Sequence, residues 1–251
     1  MYRRYIPLGI LLKLAFLFFI GSVSGWVLEL FFRRFACRSN AEHKWINPGF
    51  CTGPYLPLYG VGLCILYLIA SLEKYKFTGN AAMNKILLFV AMAVLMTALE
   101  YVAGIISLKV SNVRLWDYSD EKWNIKGIIC PKFSLCWALL GGFYYFFLHP
   151  AVKTGVHWLS NNLAFSFFIG FFFGVFIIDL CKSFRLVAKL KEYADENDLI
   201  IRYEQIKLQI RKSSEKSRKK YRFFRPFSSD KPLLEHIRDI SGTLEKKIRK
   251  Q

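Results

Sequence analysis

"ILLFVAMAVLMTALEYVAGIISL", Ile86 to Leu108, is a run of 23 residues that holds a single charged side chain, Glu100. A helix of that length rises about 35 Å, enough to cross the roughly 30 Å hydrocarbon core of a bilayer. A carboxylate deep in such a helix costs several kcal/mol unless it is paired, hydrated or protonated, so its position asks for a reason. Its helical neighbours at i±3 and i±4 are Met96, Thr97, Ala103 and Gly104, none of which can neutralise it. The partner must come from elsewhere in the fold. Ala93, Thr97, Glu100, Gly104 and Ser107 recur at helical spacing as one small, polar stripe, a face that points into protein rather than lipid.

Outward from this run, four more apolar stretches follow the same logic: Leu8 to Phe32, Pro54 to Leu72, Phe133 to Leu148, and Leu163 to Cys181. The fourth has only 16 residues and is short for a span unless Ile128 and Ile129 extend it. The first carries Lys13 near its start, whose stem can snorkel to the surface, and it lacks the short core and cleavage site of a signal peptide. With 54% hydrophobic and 17% aromatic residues, the chain reads as an all-α, polytopic membrane helix bundle of about five transmembrane helices. The bundle is expected over residues 1–183 and a basic, helical, cytoplasmic tail over 184–251.

Beyond Cys181 there are 20 Lys and Arg against 10 Asp and Glu, so the tail holds +10 of the formal +18. Positive charge stays cytoplasmic, which puts the N-terminus outside and the loops Arg33 to Gly53 and Lys109 to Pro131 inside. The expected location is the plasma membrane, crossed several times. Within the tail, Leu186, Leu190 and Tyr193, then Leu199, Tyr203, Ile206 and Ile210, have the spacing of a short coiled coil offset at Asn197. The basic run "RKSSEKSRKKYRFFRPF" (211–227) mixes aromatics with charge and suits an anionic lipid surface better than nucleic acid. Leu233, Ile237, Ile240, Leu244 and Ile248 mark a last amphipathic helix.

Two further acids fall in the apolar runs. Glu29 continues the close-packing stripe of Gly21, Ser22 and Gly25, and it can either face a pocket or pair with Arg33 one turn on. Asp179 has Lys182 and Ser183 at i+3 and i+4 and reads as interfacial. "NPGFCTGPYLPLYGVG" (47–62) places seven glycines and prolines in sixteen residues at the start of the second run. Such a stretch either bends at membrane depth, with protein or trapped water satisfying its backbone, or forms an interfacial loop before a helix-starting proline. In "LWDYSDEKWNIKGIICPKFSLCW" (115–137), Trp116, Tyr118 and Trp123 read as an aromatic interface belt, while Asp117, Asn124 and Gly127 could close a pocket from below. The candidate substrate-binding residues are therefore Glu29, Glu100, Asn47, Tyr59, Asp117 and Asn124.

The six cysteines show no CxxC pair and are expected as free thiols, and Cys37, His43 and Cys51 match no zinc spacing. No metal, cofactor or catalytic residue is assigned. The chain has no GxxxxGK[ST] loop and cannot hydrolyse ATP by that route.

The segments "GWVLELFFRR" (25–34), 47–62, "LEY" (99–101) and 115–137, in this order, resemble the CmpB-like family of bacterial multispanning membrane proteins, the ABC-transporter type IV permeases. The resemblance covers about residues 14 to 150 and implies a transporter permease of the bacterial inner membrane that works with a separate ATPase subunit. The family's opening motif usually reads Asn-Arg-Gly. Here Pro48 stands in place of the arginine, so Arg34 or Lys44 would have to supply any base that the arginine provides. Two other functions stay open: a membrane-embedded enzyme using paired glutamates on a lipid-linked substrate, and a non-transporting scaffold or regulator. Homo-oligomerisation is likewise open.

Overall fold

The structure, a computed structural model, describes residues 9–36, 40, 43–49, 51–196, 201–203 and 205–208. Its helices are α1 (Ile10–Phe35), α2 (Pro57–Ser71), α3 (Ala81–Ser111), α4 (Pro131–Phe143), α5 (His149–Asn161) and α6 (Ser166–Glu196). A π turn, Tyr144–Leu148, joins α4 to α5 without a break. Among the described residues, five helical stretches are long and apolar enough to cross a membrane, Ile10–Phe35, Pro57–Lys74, Ala81–Lys109, Pro131–Asn161 and Leu163–Ala188. The chain is an all-α membrane-spanning bundle. The fourth span reaches its length by continuing through the π turn into α5, whose Lys153, Thr154 and His157 mask the helix in an apolar-run count.

Helix α6 is continuous to Glu196, and the following segment departs from the coiled-coil reading. Ile201–Arg202 is extended (β2) and pairs in parallel with Val113–Arg114 (β1), in the register Val113 to Ile201. The unpaired backbone that follows α3 supplies a hydrogen-bonding edge, and this overrides the helical spacing of a short segment. Cys37, Leu199, Ile210, the basic run 211–227 and the helix expected over 233–248 lie outside the described residues.

The chain divides into two compact units. The first comprises Met1–Trp26, Tyr55–Ile105 and Tyr118–Ile178, and the second Val27–Pro54, Ile106–Asp117 and Asp179–Gln251.

In the first unit, α1 and α2 pack backbone to backbone through glycines. A Cβ at Gly21 would stand 2.8 Å from the Leu63 Cβ, one at Gly25 would enter the Tyr59 ring, and one at Gly60 would meet Ser22 Oγ. Small residues at a crossing let helices approach closely where no hydrophobic force separates protein from lipid. Pro57 takes the first helical position of α2, where its missing N–H costs nothing, and Leu56 N–H donates to the Ser22 carbonyl (2.9 Å). A second contact sets Gly62 of α2 against Met96 of α3, inside an apolar core that includes Leu66, Ala70, Leu88, Met92 and Trp137. Val90, Val94 and Val102 of α3, and Phe167, Phe168 and Phe171 of α6, are exposed, as lipid-facing side chains must be.

In the second unit, the segment Asn47–Pro54 is irregular, yet Asn47, Pro48 and Cys51 are buried. Buried irregular backbone needs internal partners, and the chain supplies them from distant positions.

Candidate functional site

The carboxyl group of Glu100 lies within the first unit, where the residue is 3% exposed. The Tyr118 hydroxyl donates to Glu100 Oε1 at 3.0 Å. The ring of Tyr118 stacks on Phe133 of α4, with centroids 4.3 Å apart and planes inclined by 15°, so the hydroxyl is held in place by packing. The rest of the polar stripe is covered as expected, with Ala93, Thr97 and Gly104 at least half-buried. From the Gly62–Met96 contact, Tyr59 stands one turn back on α2 and Glu100 one turn on along α3. Tyr59 also packs on Trp137 of α4 at 5.1 Å and fills the space that Gly25 leaves on α1. Four helices thus converge at the level of the Glu100 carboxylate.

The loop that carries Tyr118 is organised by Asn124. Its Nδ2 donates to the carbonyls of Ser119 (3.1 Å) and Glu121 (2.9 Å), and its Oδ1 accepts from Gly127 N–H (2.9 Å). Tyr118 N–H then donates to the Gly127 carbonyl at 2.8 Å, closing the loop at its base. Trp123 and Lys126 are both held at φ 55°, a left-handed conformation that L side chains seldom adopt. Lys132 pairs with Glu121 at 2.7 Å across the loop mouth, and Trp123 is 85% exposed, well placed for a headgroup layer.

The other three candidates belong to the second unit. Asn47 spends its side-chain amide on its own loop, donating to the carbonyls of Thr52 (2.8 Å) and Cys51 (3.3 Å). Glu29 accepts from Arg33 Nε at 2.8 Å, the i+4 pair that its position allowed. Asp117 sits between the two short strands and takes Arg114 from β1 and Arg202 from β2, each at 2.9 Å.

Two residues that sequence reasoning did not place at the site hold the Asn47–Gly53 loop. Asp179 Oδ2 accepts the N–H groups of Thr52 (2.9 Å) and Gly53 (2.8 Å), so this acid anchors the loop. Lys207, 1% exposed, donates from Nζ to the carbonyls of Asn47 (3.0 Å) and Gly49 (2.7 Å). Its ammonium also lies 5.1 Å from the centroid of the Tyr203 ring. The loop therefore presents its donors to a carboxylate and its acceptors to an ammonium, the two charges that suit them. Arg34, one of the bases expected to serve the motif, instead donates to the His43 carbonyl and lies over Trp45, 4.4 Å from that ring's centroid.

Around the anchor, burial and then the Asp179 carboxylate push the Cys51 thiol up to about 12, against a hydrogen bond with Ser183 that pulls it down. Burial also raises the Tyr203 hydroxyl, with Cys51 and Asp179 adding to the effect. The signal for Asp179 was present, an acid in an apolar helix. Lys207 gave none, being one lysine in a tail full of them. Tyr118 gave a misleading one, because its interfacial composition matched an aromatic belt.

Among the described residues no cluster of three or more His, Cys, Asp or Glu side chains could hold a metal ion. Comparison with curated proteins and with solved structures finds no match. One family model does match, and it spans the helices and both organised loops. The chain belongs to the family described as "Putative ABC-transporter type IV", over residues 16–184.

Proposed function

We propose that the protein is the membrane-spanning permease component of an ABC-type transporter in a bacterial inner membrane. Glu100 is the group that contacts the solute, and a separate subunit supplies ATP hydrolysis. The observation that carries this reading is a buried carboxylate that accepts a hydrogen bond from a tyrosine on a loop. Release of the loop would expose a polar group within the bundle, while the docked loop keeps it covered, which is the chemistry of a gate. Tyr59 and Asn124 belong to the same site, the first at its wall and the second through the shape of the loop. Glu29, Asn47 and Asp117 act on the second unit, whose loops we assign to the cytoplasmic side and to the ATPase. Residues 1–183 then form the membrane part and 184–251 a cytoplasmic tail that rests on anionic lipid. The commitment of Glu29 to Arg33 weighs against an acid–base pair, and with it against the enzyme reading.

Affinity purification of the full chain in mild detergent, followed by mass spectrometry, tests the partner. A co-purifying protein with a phosphate-binding loop is expected, and its reproducible absence would overturn the ABC assignment. Glu100→Gln keeps an acceptor for Tyr118 while removing the charge. It is expected to retain the partner and the fold but to lose solute-stimulated ATP hydrolysis, and full stimulation would make the residue structural.

A further inference from the structure

In the second unit, the end of α1 carries a guanidinium without a counter-charge. Its neighbour Arg33 is paired with Glu29, and Arg114 and Arg202 share Asp117. Arg34 pairs with no carboxylate among the described residues. Its Nη1 donates to the His43 carbonyl, and its Nε is buried without a hydrogen-bond partner among those residues. Most of the N–H donors of the group are therefore unspent.

The local fold holds this side chain in place. The last turn of a helix leaves carbonyls that need donors, and two side chains supply them. Asn40 Nδ2 donates to the Arg33 carbonyl at 3.0 Å, and His43 Nδ1 to the Arg34 carbonyl at 2.6 Å. Asn40 also donates to the Lys44 carbonyl (2.8 Å) and accepts from Lys44 N–H (3.1 Å), while His43 takes φ 49°. The chain thus turns back and lays Trp45 on the helix end. The guanidinium carbon lies 4.4 Å from the Trp45 ring centroid and 5.4 Å from that of Phe35. Trp45 stands nearly perpendicular to Phe31 and Phe35, at centroid distances of 5.5 and 6.2 Å. Stacking on rings withdraws part of the guanidinium from water while leaving its charge unneutralised.

Leu28, Phe31 and Phe35 recur at helical spacing and are all exposed, so an apolar ridge runs along the end of the span Ile10–Phe35 and finishes beside Arg34. In a bilayer such a ridge is covered by acyl chains. At its head stands a cation whose planar fork fits a phosphate group. An apolar track ending in an uncompensated guanidinium complements a phospholipid in both charge and polarity.

We propose that Arg34, framed by Phe35 and Trp45, binds the phosphate of an anionic phospholipid whose acyl chain lies on the ridge of Leu28, Phe31 and Phe35. The unpaired positive charge selects a headgroup of net negative charge, because a zwitterionic headgroup brings its own ammonium. This site is distinct from the basic run 211–227. It uses neither Glu100 nor an ATPase and so stands apart from the transport reading.

The test places the full chain in phosphatidylcholine nanodiscs doped with phosphatidylglycerol that carries a diazirine near the top of one acyl chain. A parallel set carries the same label on phosphatidylcholine, and adducts are located after irradiation by peptide mass spectrometry. Residues 28–45 are expected to take up labelled phosphatidylglycerol in clear excess over labelled phosphatidylcholine. Arg34→Gln should lower that labelling about fivefold, the effect of one arginine–headgroup contact. Changing Lys219 and Lys220 together to glutamine removes more charge from the tail and should leave it unchanged. Equal labelling by the two lipids in the native protein overturns the site, whether or not Arg34→Gln folds, and so does a tail variant that loses as much as Arg34→Gln. Excess inorganic phosphate that abolishes the labelling would make a soluble anion the ligand and overturn the lipid. A face closed by a second copy or by a partner protein would take up neither lipid, which overturns the proposal as well.

Discussion

Tyr118→Phe removes one oxygen while the ring keeps its place on Phe133, so it isolates what the hydroxyl does for Glu100. The expected loss is about 1–2 kcal/mol in thermal unfolding, the range for a hydrogen bond to a charged group moderated by the membrane reference state. Lys207→Met deletes the ammonium that satisfies the carbonyls of Asn47 and Gly49. We expect a loss of about 2 kcal/mol and proteolytic cleavage between residues 43 and 53 that the native protein resists. Cys51 offers a check on the electrostatics of the same loop. Its thiol is held up to about 12 from an ordinary value of 9.0, so folding favours the neutral form. That contribution is complete below pH 9.0 and is lost as the pH rises through about 12, because the unfolded chain releases a proton that the folded chain retains. At pH 8, iodoacetamide should accordingly leave Cys51 intact in the folded protein and modify it once the chain is unfolded, as read by peptide mass spectrometry. At this scale the sequence revealed Glu100 and its need for a partner, because charge in an apolar run is conspicuous. It could not reveal Tyr118 or Lys207, whose roles depend on contacts 18 and 160 residues away.

The elements were more legible than the residues. Apolar length identified the five spans, and the Gly21–Gly25 spacing marked a close-packing face of α1 whose partner, α2, only the structure supplies. Gly25→Ala should destabilise by about 1–3 kcal/mol, because the new methyl group must displace the Tyr59 ring. Gly170→Ala and Gly174→Ala on α6 have open space at the same position and should leave the melting temperature unchanged, a paired control in the same unit. The π turn was illegible, since a 16-residue apolar run carries no mark of where its register slips by one residue. The β1–β2 pair was hidden for a different reason. Two residues have no periodicity of their own, and their conformation is decided by the strand edge they meet.

For the molecule as a whole, five spans fix which connections share a side. Single cysteines at Gly79, between α2 and α3, and at Lys122, between α3 and α4, both exposed, should react with an impermeant maleimide from opposite faces of sealed vesicles. Reaction of both from one face would remove α3 as a span. The division into two compact units was not legible in the sequence, because it cuts α1, α3 and α6 part-way along their length. The clamp on the Asn47–Gly53 loop also has a consequence for how the protein is made. Helices enter the bilayer in the order of synthesis, but this early loop waits for an ammonium encoded 160 residues later. A nascent chain halted before residue 207 would carry every span and still leave those carbonyls unclaimed. Maturation would then finish at the tail, after insertion is over, and a ribosome-stalled or shortened chain should be recognised by quality-control proteases through that one open loop.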